Sequence, residues 1–153
     1  MTREINIYIA GPLFSVAERE FNKQLAETLE KKVDSCTVFL PQEYASSISG
    51  QPKLLDKIFN NCLESILTSD VVLAILEGPD VDSGTCVEIG YAYANKKPII
   101  GVRTDFRASE DKGMNLMVSK ACKPLLWLSD NTIKLEHVLD EIVHTIQDFS
   151  SSR

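Results

Sequence analysis

An excess of positive charge is what this sequence lacks: 16 lysines and arginines stand against 22 aspartates and glutamates, for a formal net charge of −6. Nucleic-acid backbones are bound by neutralising phosphates, so nucleic acid is not the expected partner, and a small neutral or weakly charged ligand fits better. Long apolar runs are missing too. No stretch approaches the ~20 residues of a membrane helix, which removes the membrane from the expected partners. Met1-Thr2-Arg3-Glu4 passes at once into Ile5-Asn6-Ile7-Tyr8-Ile9, too short and too polar for a signal peptide, so a cytoplasmic protein is expected. The cysteines Cys36, Cys62, Cys86 and Cys122 form no CxxC pair, and His137 and His144 lie far from most of them. No metal site is readable, and reduced thiols fit better than disulfides. Neither a GxGxxG nor a Walker motif occurs, so no dinucleotide or triphosphate cofactor is expected.

What is present is an ordinary globular composition, 44% hydrophobic and 25% charged over 153 residues, enough for one domain with a sizeable core. One domain is expected over residues 1–149, with a polar tail at 150–153. Ile5 to Ala10 is short, apolar and stopped by Gly11-Pro12, and predicts a buried first strand. Ser15 with Glu18 forms a capping box, and Val16, Phe21, Leu25 and Leu29 predict a helix from about Val16 to Lys32. Thr37 to Leu40 reads as a second strand and the polar stretch Gln42 to Pro52 as a loop. Leu54, Leu55, Ile58, Phe59, Cys62, Leu63 and Ile66 follow helical spacing to Thr68. The run Asp70 to Leu76 has the continuous apolar character of a strand buried on both faces of a parallel sheet. After a loop to Gly84, a helix is predicted from Cys86 to Asn95, a strand at Pro98 to Val102, then a long polar link. A short helix near Met114 to Lys120, a strand at Pro124 to Leu128 and a last helix from about Lys134 to Phe149 complete the chain.

Strands alternating with helices predict an α/β fold: a three-layer α/β/α sandwich around a five-stranded parallel sheet, flavodoxin- or Rossmann-like, in the order 2-1-3-4-5. Ligands of such sheets bind outside the carboxyl ends of the strands, where the order reverses. Three segments fall on that rim: Tyr8 to Phe14, Gly78 to Ala92, and Met114 to Met117. Glu88 is central. Thr85-x-x-Glu88 is itself a capping-box pattern, and a helix start would hold the glutamate ionised as a nucleophile; cap and nucleophile are compatible. Asp80 and Asp82 are ordinary turn residues taken singly, and Asp70 an ordinary helix-to-strand residue. Together, carboxylates converging on one rim need separated pKa values, and such pairs suit glycosidic bonds, with one attacking the anomeric carbon and another protonating the leaving group. Tyr8 is plain core or a buried hydroxyl in need of a partner. Gly11 lets backbone approach a ligand, and Phe14 either stacks on a planar base or staples the first helix.

The motifs Tyr8-Ile9-Ala10-Gly11-Pro12-Leu13-Phe14, Asp70 to Leu76, Asp82-x-Gly84-Thr85-x-x-Glu88-x-Gly90-Tyr91-Ala92 and Asn115-Leu116-Met117, in order over nearly the whole chain, resemble the nucleoside 2-deoxyribosyltransferase family. The resemblance implies transfer of 2-deoxyribose between nucleobases with retention, through a covalent intermediate on Glu88, with no cofactor. It implies that Tyr8 orients Glu88, and that Asp70 and Asp82 hold the base and pass a proton to its ring nitrogen. Phe14 and Gln42 would contact the base or close the pocket, and Gly11, Asp80 and Gly84 would complete the substrate-binding rim. Asn115 and Met117 match residues that reach a neighbouring subunit's site, which implies a homo-oligomer, dimer or hexamer. The substrates implied are a deoxyribonucleoside and a free nucleobase.

Two other functions stay open. A nucleoside or nucleotide N-glycoside hydrolase uses the same fold and glutamate but delivers the sugar to water; its phosphate contacts would come from Ser15, Arg19 and Ser119. A non-catalytic nucleotide sensor would usually lack the nucleophile or carry a second domain, and this chain has Glu88.

Overall fold

The computed structural model describes residues 4–107 and 114–152. Met1–Arg3, the middle of the polar link and the last residue of the tail lie outside them. Five strands, β1 (Ile5–Ala10), β2 (Cys36–Phe39), β3 (Val71–Ile75), β4 (Ile99–Arg103) and β5 (Leu125–Trp127), form one sheet in the order β2-β1-β3-β4-β5. Every neighbouring pair is parallel, with Tyr8 opposite both Phe39 and Val72. The expected order and architecture are observed. The helices are α1 (Val16–Lys32), α2 (Pro41–Ser47), α3 (Leu54–Thr68), α4 (Ser83–Ala94), α5 (Leu116–Ala121) and α6 (Leu135–Ser151).

Side-chain alternation divides the core into two layers. Ile7, Ile9, Leu73, Ile75, Ile100 and Val102 join Leu25 and Leu29 of α1 and Ile142 and Ile146 of α6. Tyr8, Ala10, Val72, Ala74, Leu76 and Ile99 join Ile66 of α3, Ile89 and Ala92 of α4 and Val118 of α5. Burying each such Leu or Ile side chain stabilises by about 1.5–3 kcal/mol, and β3, buried along its whole length, carries both layers. That is why its sequence is a continuous apolar run.

α1 matches its expected bounds because its start is over-determined. Ser15 Oγ accepts from the Glu18 amide at 3.1 Å, and Glu18 Oε2 accepts from the Ser15 amide at 2.6 Å. The stretch expected to be loop from Gln42 contains α2 instead. Pro41 opens this helix with its preset φ and is buried, and Tyr44 leans on Phe39. Such a helix is too short to stand alone; tertiary packing makes it. Among the described residues no helix is long and apolar enough to cross a membrane.

Candidate active site

Tyr8 sits in the middle of β1 with its side chain in the layer under α3 and α4, fully buried. Its ring stacks on Phe39 at 5.4 Å and 12°, and Phe39 meets Tyr44 at 6.0 Å. A buried phenol requires a partner for its hydroxyl. That partner is Glu88, whose Oε1 accepts the Tyr8 proton at 2.5 Å. Burial pushes the Glu88 carboxyl up to about 7; the bond from Tyr8 opposes the rise and the nearby charge of Asp82 adds to it. Burial, with the charge of Glu88, holds the Tyr8 hydroxyl far above the ordinary phenol range. Tyr8 is therefore a permanent donor, and Glu88 a carboxylate balanced between its two forms near neutrality.

This balance corrects the expectation of a glutamate kept ionised by a helix start. α4 begins at Ser83, three residues earlier than expected, because Asp82 takes the N-cap: its Oδ2 accepts from the Thr85 amide at 2.9 Å and from Thr85 Oγ1 at 3.2 Å. The Thr85-x-x-Glu88 capping box does not form. Glu88 lies in the second turn, beyond the reach of the helix-terminal field, and desolvation prevails. Gly84 lets the cap close, since a Cβ there would stand 3.1 Å from Asp82 Oδ2.

Asp70 is not brought to this pair. It precedes β3 at the amino end of the sheet, where its Oδ2 accepts from the Asn6 amide at 2.8 Å and its own amide donates to Asn6 O at 2.7 Å. The loops of the predicted rim follow the other ends of these strands, so the role implied for Asp70 is corrected to a clasp between the starts of β1 and β3. Gly11 serves packing: a Cβ there would meet Ile75 Cβ at 3.0 Å. Gln42 is engaged by α1, donating to Arg19 O at 2.9 Å and accepting from Asn22 Nδ2 at 3.3 Å. Phe14 is 73% exposed on the rim, open to a ligand rather than stapling the helix.

Asp80, Asn115 and Met117 line a groove of about 470 Å³ between α4 and α5, walled by Val81, Ile89 and Val118. It lies across α4 from the Tyr8–Glu88 pair, and neither of those residues lines it. Asn115 caps α5, its Oδ1 accepting from the Met117 amide at 2.9 Å, while Met117 itself is 78% exposed.

Two residues placed inside the fold escaped the sequence reading. Cys62 of α3, one turn before the buried Ile66, packs partly buried against the cluster that holds Tyr8, and burial pushes its thiol up. Helical spacing marked it as core only. Arg103, fully buried at the end of β4, donates through Nη1 to Leu76 O at 2.6 Å and Gly78 O at 3.1 Å, with its guanidinium 5.8 Å from the Trp127 ring. It ties the β3–α4 loop, which turns at Gly78 with φ +100°, to the neighbouring strand. Among the described residues no group of three His, Cys, Asp or Glu side chains is placed to hold a metal ion.

A doubly wound sheet with a buried phenol–carboxylate pair, its carboxyl poised near neutrality, defines a site suited to nucleophilic or acid–base chemistry on a small ligand. The family model for nucleoside 2-deoxyribosyltransferase matches residues 7–117, a span that includes Tyr8, Cys62, Asp82 and Glu88. The chain belongs to the nucleoside 2-deoxyribosyltransferase family. It is 27% identical to the nucleoside deoxyribosyltransferase of Lactobacillus leichmannii, over 88% of this chain and 87% of that one. Its fold is shared with the 2-deoxyribosyltransferase of Bacillus psychrosaccharolyticus (TM-score 0.68, 23% identity, 88% and 90% of the two chains covered). It is shared also with a Clostridium botulinum CMP N-glycosidase (TM-score 0.57, 20% identity, 90% and 97% covered). Membership supports an enzyme of nucleoside deoxyribosyltransfer or related N-glycosidase chemistry.

Proposed function

We propose that the protein transfers 2-deoxyribose from a deoxyribonucleoside to a second nucleobase, with Glu88 as nucleophile. The observation that carries this reading is the part-buried Tyr8–Glu88 hydrogen bond of 2.5 Å with the carboxyl raised to about 7. In the first step the free Glu88 oxygen attacks the anomeric carbon as the C–N bond breaks. The bonding pair leaves with the base nitrogen, which takes up a proton, and a glycosyl ester remains on Glu88. In the second step a ring nitrogen of the incoming base attacks the same carbon, the ester C–O pair returns to Glu88, and two inversions give retention. Tyr8 fixes the carboxylate through Oε1. Asp82, whose charge reaches Glu88, is the carboxylate that holds the departing base.

The substrate is a nucleoside rather than its 5′-phosphate. A helix N-terminus is the usual seat for phosphate, and α1 and α4 are each already filled by a carboxylate of the chain. Glu18 Oε2 takes the amides of Phe14 at 2.9 Å and Ser15 at 2.6 Å, and Asp82 takes that of Thr85. Ser15 accepts in its cap, Arg19 Nη1 donates to Leu13 O and Phe14 O, and Ser119 Oγ donates to Leu116 O. The side chains a nucleotide hydrolase would turn to phosphate are thus committed locally. Met117, exposed across α4 from its own Glu88, fits the role of completing the site of a second copy.

Chromatography of purified protein with deoxyadenosine or thymidine, with and without a second base, tests the reading. New nucleoside forming only with the acceptor is expected. Equal release of free base without it, above all from deoxynucleoside monophosphates, would instead mean a hydrolase.

A further inference from the structure

β3 leads into the loop that carries Asp80 and Asp82 to the head of α4, and this loop turns at Gly78 with φ +100°. Its first three residues are held by the end of β4. The Leu76 amide donates to Val102 O at 2.8 Å. Arg103 Nη1 donates to Leu76 O at 2.6 Å and to Gly78 O at 3.1 Å. Glu77 returns the contact: its Oε1 accepts from the Thr104 amide at 2.7 Å and its Oε2 from the Asp105 amide at 2.8 Å. One side chain from each strand end thus grips the backbone that follows the other.

The grip is costly for the fold. Arg103 is 1% exposed, and its Nε and Nη2 are buried without a hydrogen-bond partner among the described residues. Buried donors left unpaired cost stability, and replacing buried charged groups by well-packed apolar ones is often neutral or stabilising. What the arginine supplies that an apolar residue lacks is a fixed path for the loop. We propose that Arg103 and Glu77 form one clamp and are positioning residues for ligand binding: together they hold the β3–α4 loop, and with it Asp80 and Asp82, in place on the rim. The proposal rests on the reading of Asp82 as the group that holds the base. The far half of the loop is fixed separately, by the preset φ of Pro79 and by the Asp82 cap on Thr85, so the clamp sets where the loop sits and not whether α4 starts.

Steady-state kinetics and amide exchange test it together. Arg103→Met keeps an extended side chain and removes its donors. It should raise KM for deoxyadenosine about tenfold in the transfer assay while kcat stays within about twofold. Arg103→Lys should restore most of the affinity, because both bonds leave from a single nitrogen and an ammonium has donors enough for the pair. In R103M the Thr104 and Asp105 amides, which donate to Glu77 and not to the arginine, should exchange about tenfold faster, with amides inside β3 unchanged. Glu77→Ala should match R103M in KM, and the double variant should be little worse than either, since each opens the same joint. Should R103M not fold, E77A carries the comparison, with E77Q, which keeps one acceptor, falling between it and the parent. A lower melting temperature with KM unchanged, a loss confined to kcat, or unchanged exchange at Thr104 and Asp105 would overturn the proposal. A parent without transfer activity would refute the reaction proposed above, while exchange at Thr104 and Asp105 still decided the clamp.

Discussion

Replacing Tyr8 by phenylalanine removes one oxygen from the molecule and leaves the ring that stacks on Phe39 at 5.4 Å. The layer keeps its packing, so the effect falls on Glu88. A hydrogen bond to a charged group contributes about 1.5–3 kcal/mol, and this one lowers the Glu88 carboxyl from where burial alone would put it. Without it the Glu88 pKa should climb from about 7 by roughly one to two units. The nucleophile must be ionised, so activity rises with pH through that value. At pH 7 the variant should lose about 5- to 50-fold in kcat/KM, and most of the loss should be recovered near pH 9.5. Initial rates of deoxyribosyl transfer across pH 5 to 9.5, with circular dichroism to confirm the fold at each end, provide the assay. A loss of the same size at every pH, or an acid limb that stays in place, would refute the assignment of Tyr8 as the donor that sets the ionisation of Glu88.

Other outcomes follow from the same geometry. Glu88 has its folded pKa raised above the unfolded value, so the native state holds this proton more tightly; ionisation costs stability above about pH 7, and the cost fades as the pH falls through that value to the ordinary carboxylate range. Glu88→Gln should therefore be more stable than the parent at pH 8 by about 2–3 kcal/mol in urea unfolding, with no difference at pH 4, while abolishing transfer; equal stability at pH 8 would refute the burial cost. Asp82→Ala removes the α4 cap and should destabilise by about 1 kcal/mol, whereas Asp82→Asn keeps the cap oxygen; thermal melts of the pair separate capping from any role toward the base, since only the latter makes the asparagine slow. Gly101→Ala would bring a Cβ to 2.8 Å from Cys122 Cβ and 2.9 Å from Leu125 Cδ1, and should cost about 1–3 kcal/mol by overpacking, with a neutral result contradicting the close approach of β4 to its cover.

The sheet was legible because burial on two faces writes itself into sequence as unbroken apolar runs, as in β3, and α1 because its capping box states its own first residue. α2 was not: seven residues cannot show a helical period, and its cause, Tyr44 against Phe39, is a contact between segments. α4 carried two overlapping cap patterns, Asp82-x-x-Thr85 and Thr85-x-x-Glu88, and local sequence could not rank them; the one that formed moved Glu88 inward and reversed the direction of its pKa shift. Tyr8, Glu88 and the orienting of one by the other were readable through motif resemblance, but the desolvation of the carboxyl was not. Asp70 drew the eye as an acid heading a strand, yet the head of a parallel strand is the end away from the rim. Cys62 was counted as an apolar helix position, and Arg103 fell just past the predicted end of its strand, where nothing in the local pattern marks a buried arginine.

The bond between Tyr8 and Glu88 joins positions 80 residues apart, which gives the reactive group a history as well as a place. No local segment can assemble it: β1 must first be flanked by β2 and β3, each pairing closed across a long loop, and such non-local contacts form late. A chain emerging from the ribosome carries Tyr8 early, but its acceptor comes only with α4. Until then Glu88 is an ordinary solvated carboxylate, without the burial that tunes it. The chemistry of this site thus belongs to no single segment and exists only where β1 and α4 have been brought together.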